Sequence, residues 1–445
     1  MTKKKKYPID IVIQPFQNFI QKEKAGGIVL GISVIIALFL ANSPWSESYF
    51  HFFEHKLGFH FDGKTYLEYS LHHWINDGLM AVFFFVVGLE LKREIIAGEL
   101  SNPRKALLPI IAAIGGMIVP AIIYLSFNPT GEVHSGWGIP MATDIAFALG
   151  VLFLLGNKVP FSLKVFLTAL AIVDDLGAVL VIAFFYTSDI SFLSLSIGFV
   201  FLMIMYIGNK MGVRSILFYA IIGIVGVWTG FLLSGVHATI AAVLAAFTIP
   251  ADVKLNENNY IQKVQNYLNK FKNIDPDNSK PTLTNSQLHI LDEMKKDTNQ
   301  AIPPLQRLEH AMHPFVTFLV VPIFAIANAG VSVLDIDAGH LFNTNVALGV
   351  ALGLLIGKVV GVVGFTLLFV KLKIAVFPDG MNLKNLFGLG LLASIGFTMS
   401  LFVTNLAFSH EEYITQAKIG IFTASIIGGI LGYWVLNKSS KNQSL

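Results

Sequence analysis

Apolar runs of bilayer-crossing length alternate with short polar links along this chain. The spacing predicts an all-α polytopic membrane protein with about twelve transmembrane helices. The runs fall at 27–42, 71–91, 107–127, 138–155, 161–185, 192–207, 216–249, 314–331, 346–370, 386–408 and 417–435. The stretch 216–249 is too long for one crossing and is interrupted at Ser234, Gly235 and His237, so it divides into a seventh and an eighth span. Two runs are broken internally. In the fourth, Gly138 and Pro140 precede Thr143 and Asp144; in the eleventh, Gly388, Gly390, Ser394, Gly396 and Thr398 interrupt the apolar pattern. A proline inside a membrane helix frees backbone groups that a neighbour or a cavity must satisfy.

The polar intervals set the domain organisation. Residues 1–26 combine a lysine run with Ile9, Ile11, Val12, Ile13, Phe16, Phe19 and Ile20, and read equally as a segment on the cytoplasmic membrane surface or as a basic tail. No compact apolar region with a small-residue cleavage site follows the basic start, so the first span is expected to act as its own insertion signal. Residues 27–250 hold spans one to eight. Within them, about 51–69, strand-forming residues flank Asp62-Gly63 and predict a small β-hairpin on the periplasmic side. The stretch 251–302, dominated by Asn, Lys and Asp, reads as an inserted cytoplasmic loop with short helices such as 288–294. Residues 303–437 hold spans nine to twelve, and 438–445 form a tail.

Composition sharpens the class. Of 445 residues 54% are hydrophobic and only 13% charged, which excludes a water-soluble enzyme of this size and makes the lipid bilayer the expected partner. The chain has no cysteine, which excludes thiol chemistry and iron–sulfur clusters. No cofactor and no nucleic-acid partner is expected. The basic residues of 3–24, 92–105, Lys158, Lys210, Arg214, 254–307, 371–384 and Lys438 fall on one face, against Lys56, Lys64 and Lys418 on the other. The positive-inside rule then places both termini in the cytoplasm.

The candidate chemistry lies where charge interrupts apolar sequence. Asp174 and Asp175 stand side by side near the centre of 161–185, and Lys358 stands at the middle of 346–370. An ionised carboxylate at that depth costs roughly 2.5 to 3.5 kcal/mol, so such acids mark a functional site, with a structural pair to Lys358 or permanently protonated acids as the plainer readings. Neighbours on a helix point about 100° apart, so one acid is expected to face a pathway and the other a partner. Asp144 reads either as part of this site or as an interfacial cap, and Asp77 lies nearer a membrane surface. His237 reads more readily as a satisfied core histidine than as a proton carrier.

The two broken spans are the middle members of two three-helix units, spans three to five and ten to twelve, that enter the membrane from opposite sides. This is the pattern of inverted-topology repeats with two discontinuous, crossing helices. Asp144 would offset the partly positive half-helix ends, and Lys358 the partly negative ones. Carboxylates, Thr143 and freed carbonyls offer the oxygen ligands a hard monovalent cation needs. A carboxylate that holds either a cation or a proton, never both, exchanges the two. An intramembrane aspartyl protease needs a Gly-x-Gly-Asp motif that the sequence lacks, whereas a passive channel leaves Lys358 unexplained and a symporter of an organic solute remains an alternative.

Several stretches carry a specific resemblance: WINDGLMAVFFFVVGLELKRE (74–94), AAIGGMIVPA (112–121), ATDIAFALGVLFLLG (142–156), TALAIVDDLGA (168–178), SGVHATIA (234–241), RLEHAMHP (307–314), FAIANAGVS (324–332), LIGKVVG (355–361) and GFTMSLF (396–402). Together they resemble the NhaA-type sodium/proton antiporters over nearly the whole membrane portion. The resemblance implies that Asp175 is the principal carrier of Na+ or a proton and that Asp174 pairs with Lys358 when the cation is absent. It puts Asp144 and Thr143 at the helix crossing and gives Asp77 a supporting role. Glu90, Glu94, Glu309, His310 and His313 would line a cytoplasmic entrance responsive to alkaline pH, with His237 tuning the response. It further implies electrogenic, pH-regulated export of Na+ or Li+ against H+, a bacterial inner-membrane location, and a homodimer through the hairpin at 59–66. The long 251–302 insert and the lysine-rich N-terminus depart from the family pattern and flank the face where pH would be sensed.

Overall fold

The computed structural model describes residues 25–62, 64–187, 190–274, 282–332, 345–378 and 380–441. The N-terminal segment expected over 1–26 lies almost wholly outside the described residues, as do Gly63 at the hairpin tip and the end of the tail, 442–445.

The chain is mostly helical, as its apolar runs demand. Among the described residues seven helices are long and apolar enough to cross a membrane, or nine if each of two bent pairs counts as one span. Two shorter apolar helical stretches, Ile216–Leu232 and Ala238–Thr248, fill the long run that Ser234, Gly235 and His237 divide. Helical segments Leu71–His73, Trp74–Leu79 and Met80–Ala97 follow one another without a gap, the middle one wound as a π turn. Element limits extend beyond the apolar runs at the membrane surfaces: the last helix is Glu411–Lys441, because its charged ends continue the backbone hydrogen bonding past the apolar stretch 417–435.

After the first helix, Ala25–Ala41, the chain bends by 111° into Ser46–Glu54. Strands β1 (Lys56–Phe61) and β2 (Lys64–Ser70) then pair antiparallel, with Phe61 opposite Lys64 and Leu57 opposite Tyr69. The two-residue loop needs left-handed backbone, and Asp62 adopts it with φ of 49°.

Close helix contact depends on missing side chains. Pro103–Phe127 packs along the stretch Asn345–Lys371. A Cβ on Gly115 would lie 2.4 Å from the carbonyl oxygen of Gly361, so the two backbones touch there. Gly353 and Gly357 meet Pro140 and Pro120 in the same way. On the other side of the bundle, Ala238–Thr248 packs against Met80–Ala97. Lys92 caps the far end of that short helix, donating to Phe247 O at 2.7 Å and also to Ile249 O, a cation placed on a partly negative helix end.

The polar insert is more ordered than its composition suggests. Instead of short helices it forms two long ones, Glu257–Ile274 and Asn285–Ala301, packed on each other. A capping box between Thr284 and Gln287 starts the second. Asp297 joins the pair, accepting from Tyr267 Oη at 2.8 Å and facing Lys263 Nζ at 3.0 Å.

Candidate functional site

The centre of the molecule is built where two interrupted helices abut. The tightly wound segment Glu132–Met141 is followed by three non-helical residues, 142–144, before helix Ile145–Leu154 begins. Helices Leu383–Ala393 and Phe397–Ala407 are likewise separated by a short break and bent by 45°. Each break leaves backbone groups that lipid cannot satisfy, and each supplies them to the other. Thr143 Oγ1 donates to Ala393 O at 2.9 Å, Asp144 N to Ile395 O at 2.6 Å, and Ser400 Oγ to Ile139 O at 2.8 Å.

Asp144 ties the two breaks together. Its Oδ1 accepts from Phe147 N at 3.0 Å, capping one helix. Its Oδ2 accepts from Thr398 N at 3.0 Å and Thr398 Oγ1 at 2.5 Å, in the first turn of the other. One buried carboxylate thus faces two partly positive helix ends. The matching expectation for Lys358 needs correction: the opposite helix ends are bonded by Thr143, Ser400 and the Asp144 amide, and Lys358 bonds a carboxylate instead.

That carboxylate is Asp174, on helix Phe161–Phe185. Lys358 Nζ lies 2.6 Å from Asp174 Oδ2, and neither side chain is exposed. Lys358 begins its helix directly after a π turn, Gly353–Gly357, which rotates the residues that follow. Gly116 packs across from it, where a Cβ would meet Lys358 Cδ at an ordinary 3.6 Å and Val362 Cγ2 more tightly, at 3.1 Å. Asp175 is buried on the adjoining face, close enough to Asp144, Asp174, Lys358 and Glu90 to interact with them electrostatically. Among the described residues, Oδ1 of Asp174 and Oδ1 of Asp175 are buried without a hydrogen-bond partner. No three His, Asp or Glu side chains converge as a metal-holding set among them. The oxygens at hand are therefore two carboxylates with free lone pairs, beside the hydroxyls and carbonyls of the breaks, a donor set suited to hard cations and protons.

Apart from Glu90, which is within electrostatic reach of Asp175, the other sequence candidates lie away from this centre. Glu90, Glu94, Glu309 and His313 form one cluster around Arg93: His313 Nδ1 is 3.4 Å from Glu90 Oε1, and Arg93 lies 2.8 Å from Glu94 and 2.9 Å from Glu309. His310 is exposed on the same helix. Asp77 pairs with His73 at 3.2 Å. His237 hydrogen-bonds the carbonyl of Tyr186 at 2.9 Å.

Several polar residues of the core carry no role in the sequence reading. Asn405 donates to Asn328 Oδ1 at 2.5 Å, Asn328 to Asn76 Oδ1 at 3.0 Å, and Asn76 contacts His72 at 3.2 Å, forming a buried amide chain across three helices. The signal available for it was an asparagine near the end of each of three apolar runs.

Comparison with known proteins identifies the family. The profile of the Na+/H+ antiporter 1 family matches residues 17–436, and the chain belongs to that family. It is similar to Na(+)/H(+) antiporter NhaA 1 of Saccharophagus degradans, 48% identical over 436 residues that cover 97% of this chain and 93% of the relative. NhaA 2 of Syntrophotalea carbinolica is 48% identical over 441 residues, with 98% and 99% covered. NhaA of Wolinella succinogenes is 48% identical over 425 residues, with 94% and 92% covered. The mostly helical chain, with seven or more candidate membrane spans among the described residues, is consistent with a multi-pass membrane protein of this family.

Proposed function

We propose that this chain is a secondary active antiporter that exports Na+, or Li+, in exchange for H+. The observation that carries the reading is the buried pair Asp174 and Asp175, each with an unbonded carboxylate oxygen, beside the lysine that neutralises one of them. Family membership and the antiporter names of the relatives support it.

In this reading Asp175 is the principal carrier. A Na+ ion arriving from the cytoplasm takes oxygens of Asp175 and Asp174, displacing Lys358 from its pair. Thr143 and the carbonyls of the two breaks complete the oxygen set. Protons arriving from the other side neutralise Asp175 and recharge the displaced, deprotonated Lys358, which re-forms its pair with Asp174 as the ion leaves. Asp175 and Lys358 each take up a proton for one cation released, so more protons than sodium ions cross in each cycle and exchange is electrogenic. Asp144 holds the crossing together through both helix ends, and Asp77 supports the path towards the periplasm. The ion pairs of Arg93 with Glu94 and Glu309, and of Glu90 with His313, would set the pH response, with His310 beside them and His237 tuning it.

The topology proposed with this function is twelve crossings in the bacterial inner membrane, both termini cytoplasmic, with inverted repeats whose middle helices are discontinuous. The β1–β2 hairpin would join two copies on the periplasmic side, since each strand has a free edge and Leu57 and Phe59 are exposed on it. Reconstituted vesicles with an acidic interior, and so an outward-directed proton gradient, test the function. Added Na+ or Li+ should dissipate the gradient, and a potassium diffusion potential should change the rate. Sodium movement without proton movement would refute antiport.

A further inference from the structure

We propose that the neck of the 251–302 insert is a binding pocket for a phosphate-bearing anion. A cavity of about 360 Å³ opens between the insert and the membrane helices, lined by Arg214, Lys254, Lys295, Lys296 and Arg307, with Asp292 the one carboxylate among its lining residues. Its size lies within the range of small-ligand sites. Four of these cations come from the insert and its return into the helix Pro304–Phe315, and the fifth from the turn before Ile216.

The pocket is held by the backbone rather than by surface side chains alone. Lys254 N and Leu255 N both donate to Gln300 O, at 3.0 and 3.1 Å, and Leu305 N donates to Pro250 O at 3.0 Å. These bonds pin the two ends of the insert against each other. Arg214 is oriented by its own chain, donating to Asn209 O at 3.2 Å, and is partly offset by Asp252 at 2.5 Å. Arg307 lines the pocket: its Nη1 donates to Asn299 O at 3.2 Å, and its Nε is buried with no partner among the described residues. Five lining cations against one lining carboxylate, with the Arg307 guanidinium incompletely bonded, call for an anion with several oxygens. Phosphate meets that need better than a single carboxylate, because guanidinium binds it in a fork and ammonium groups take its remaining oxygens. The source can be a soluble phosphorylated compound or a lipid headgroup.

The test is calorimetric titration of inorganic pyrophosphate into the full-length protein in an uncharged detergent, beside the Lys295→Gln/Lys296→Gln double variant. Both lysines are exposed, and thermal unfolding checks that the variant keeps its fold. The expected result is one saturable site that weakens as salt rises. In the double variant it weakens roughly tenfold or more, since two charge-assisted bonds are lost. Repeating the titration in nanodiscs separates the sources. Binding that is equal in phosphatidylcholine and in phosphatidylglycerol discs identifies a soluble ligand, and binding lost only in phosphatidylglycerol discs identifies a headgroup. No saturable site in detergent, or equal affinity in the wild type and the double variant, overturns the proposal. Binding is read directly, so the outcome is independent of whether the chain exchanges sodium for protons.

Discussion

The ammonium group of Lys358 lies 2.6 Å from Asp174 Oδ2 with both side chains fully buried. Such a pair offsets the desolvation of two charges only while both members are present. Lys358→Ala leaves a dry, uncompensated carboxylate, which costs about 3–5 kcal/mol. Its thermal unfolding temperature in detergent should fall well below wild type, and the pH dependence of exchange should shift. A variant that melts and titrates like the wild type would remove this pair from the mechanism.

Thr398 is expected to matter out of proportion to its size. Its hydroxyl and its amide both reach Asp144 Oδ2, so Thr398→Val leaves the amide bond and removes the shorter one. The loss of one bond to a charged group is worth about 1.5–3 kcal/mol. Thr398→Ser should restore most of it. Melting temperatures of the two variants, measured side by side, check this; equal values would show that the hydroxyl contributes nothing to the crossing.

The contact of Gly115 with Gly361 admits no side chain. With a Cβ 2.4 Å from the opposing carbonyl oxygen, Gly115→Val forces apart the helices that carry Gly116 and Lys358. Overpacking of this kind costs about 1–3 kcal/mol. Lowered membrane yield and slowed exchange are expected, and wild-type yield with wild-type transport would contradict the tight crossing.

How legible the site was in the sequence depended on residue type. Asp174, Asp175 and Lys358 stood out because a charge inside an apolar run is costly wherever the helix points. Asp144 stood out through Gly138 and Pro140, although the backbone departs from helix after Met141 and not at those residues. Thr398 marks only an interruption of the eleventh run, and Ser400, Asn328 and Asn405 are silent: small polar groups cost little in a membrane helix, and their meaning arises only when distant segments cross. The π turns before Lys358 and around Asp77 leave no mark in an apolar pattern. The insert's composition suggests mostly loop because its helices are polar, yet Thr284 and Gln287 spell a capping box three residues apart.

Within the insert, pH dependence should follow Asp297. Burial opposes its ionisation, but the bonds from Lys263 and Tyr267 outweigh that and hold the carboxyl below its usual range. The same bond to Asp297 pushes the Tyr267 hydroxyl up to about 12. A carboxyl with a depressed folded-state pKa contributes stability above its unfolded value, about 3.9, and that contribution fades as pH falls through the lower folded value. At neutral pH, Asp297→Asn should therefore loosen the two helices. Limited proteolysis of the full-length protein should cut the variant faster between 257 and 301, and equal rates would show that Asp297 does not join them.

Sodium-induced collapse of a proton gradient in everted membrane vesicles, wild type beside Asp175→Asn from about pH 6.5 to 9, tests the exchange site most directly, because the substitution removes a proton-titrating carboxyl while keeping its shape. The wild type should release the gradient when Na+ or Li+ is added, and the variant, present in the membrane at normal amount, should not. Exchange that persists in Asp175→Asn would contradict the assignment of the central acid pair.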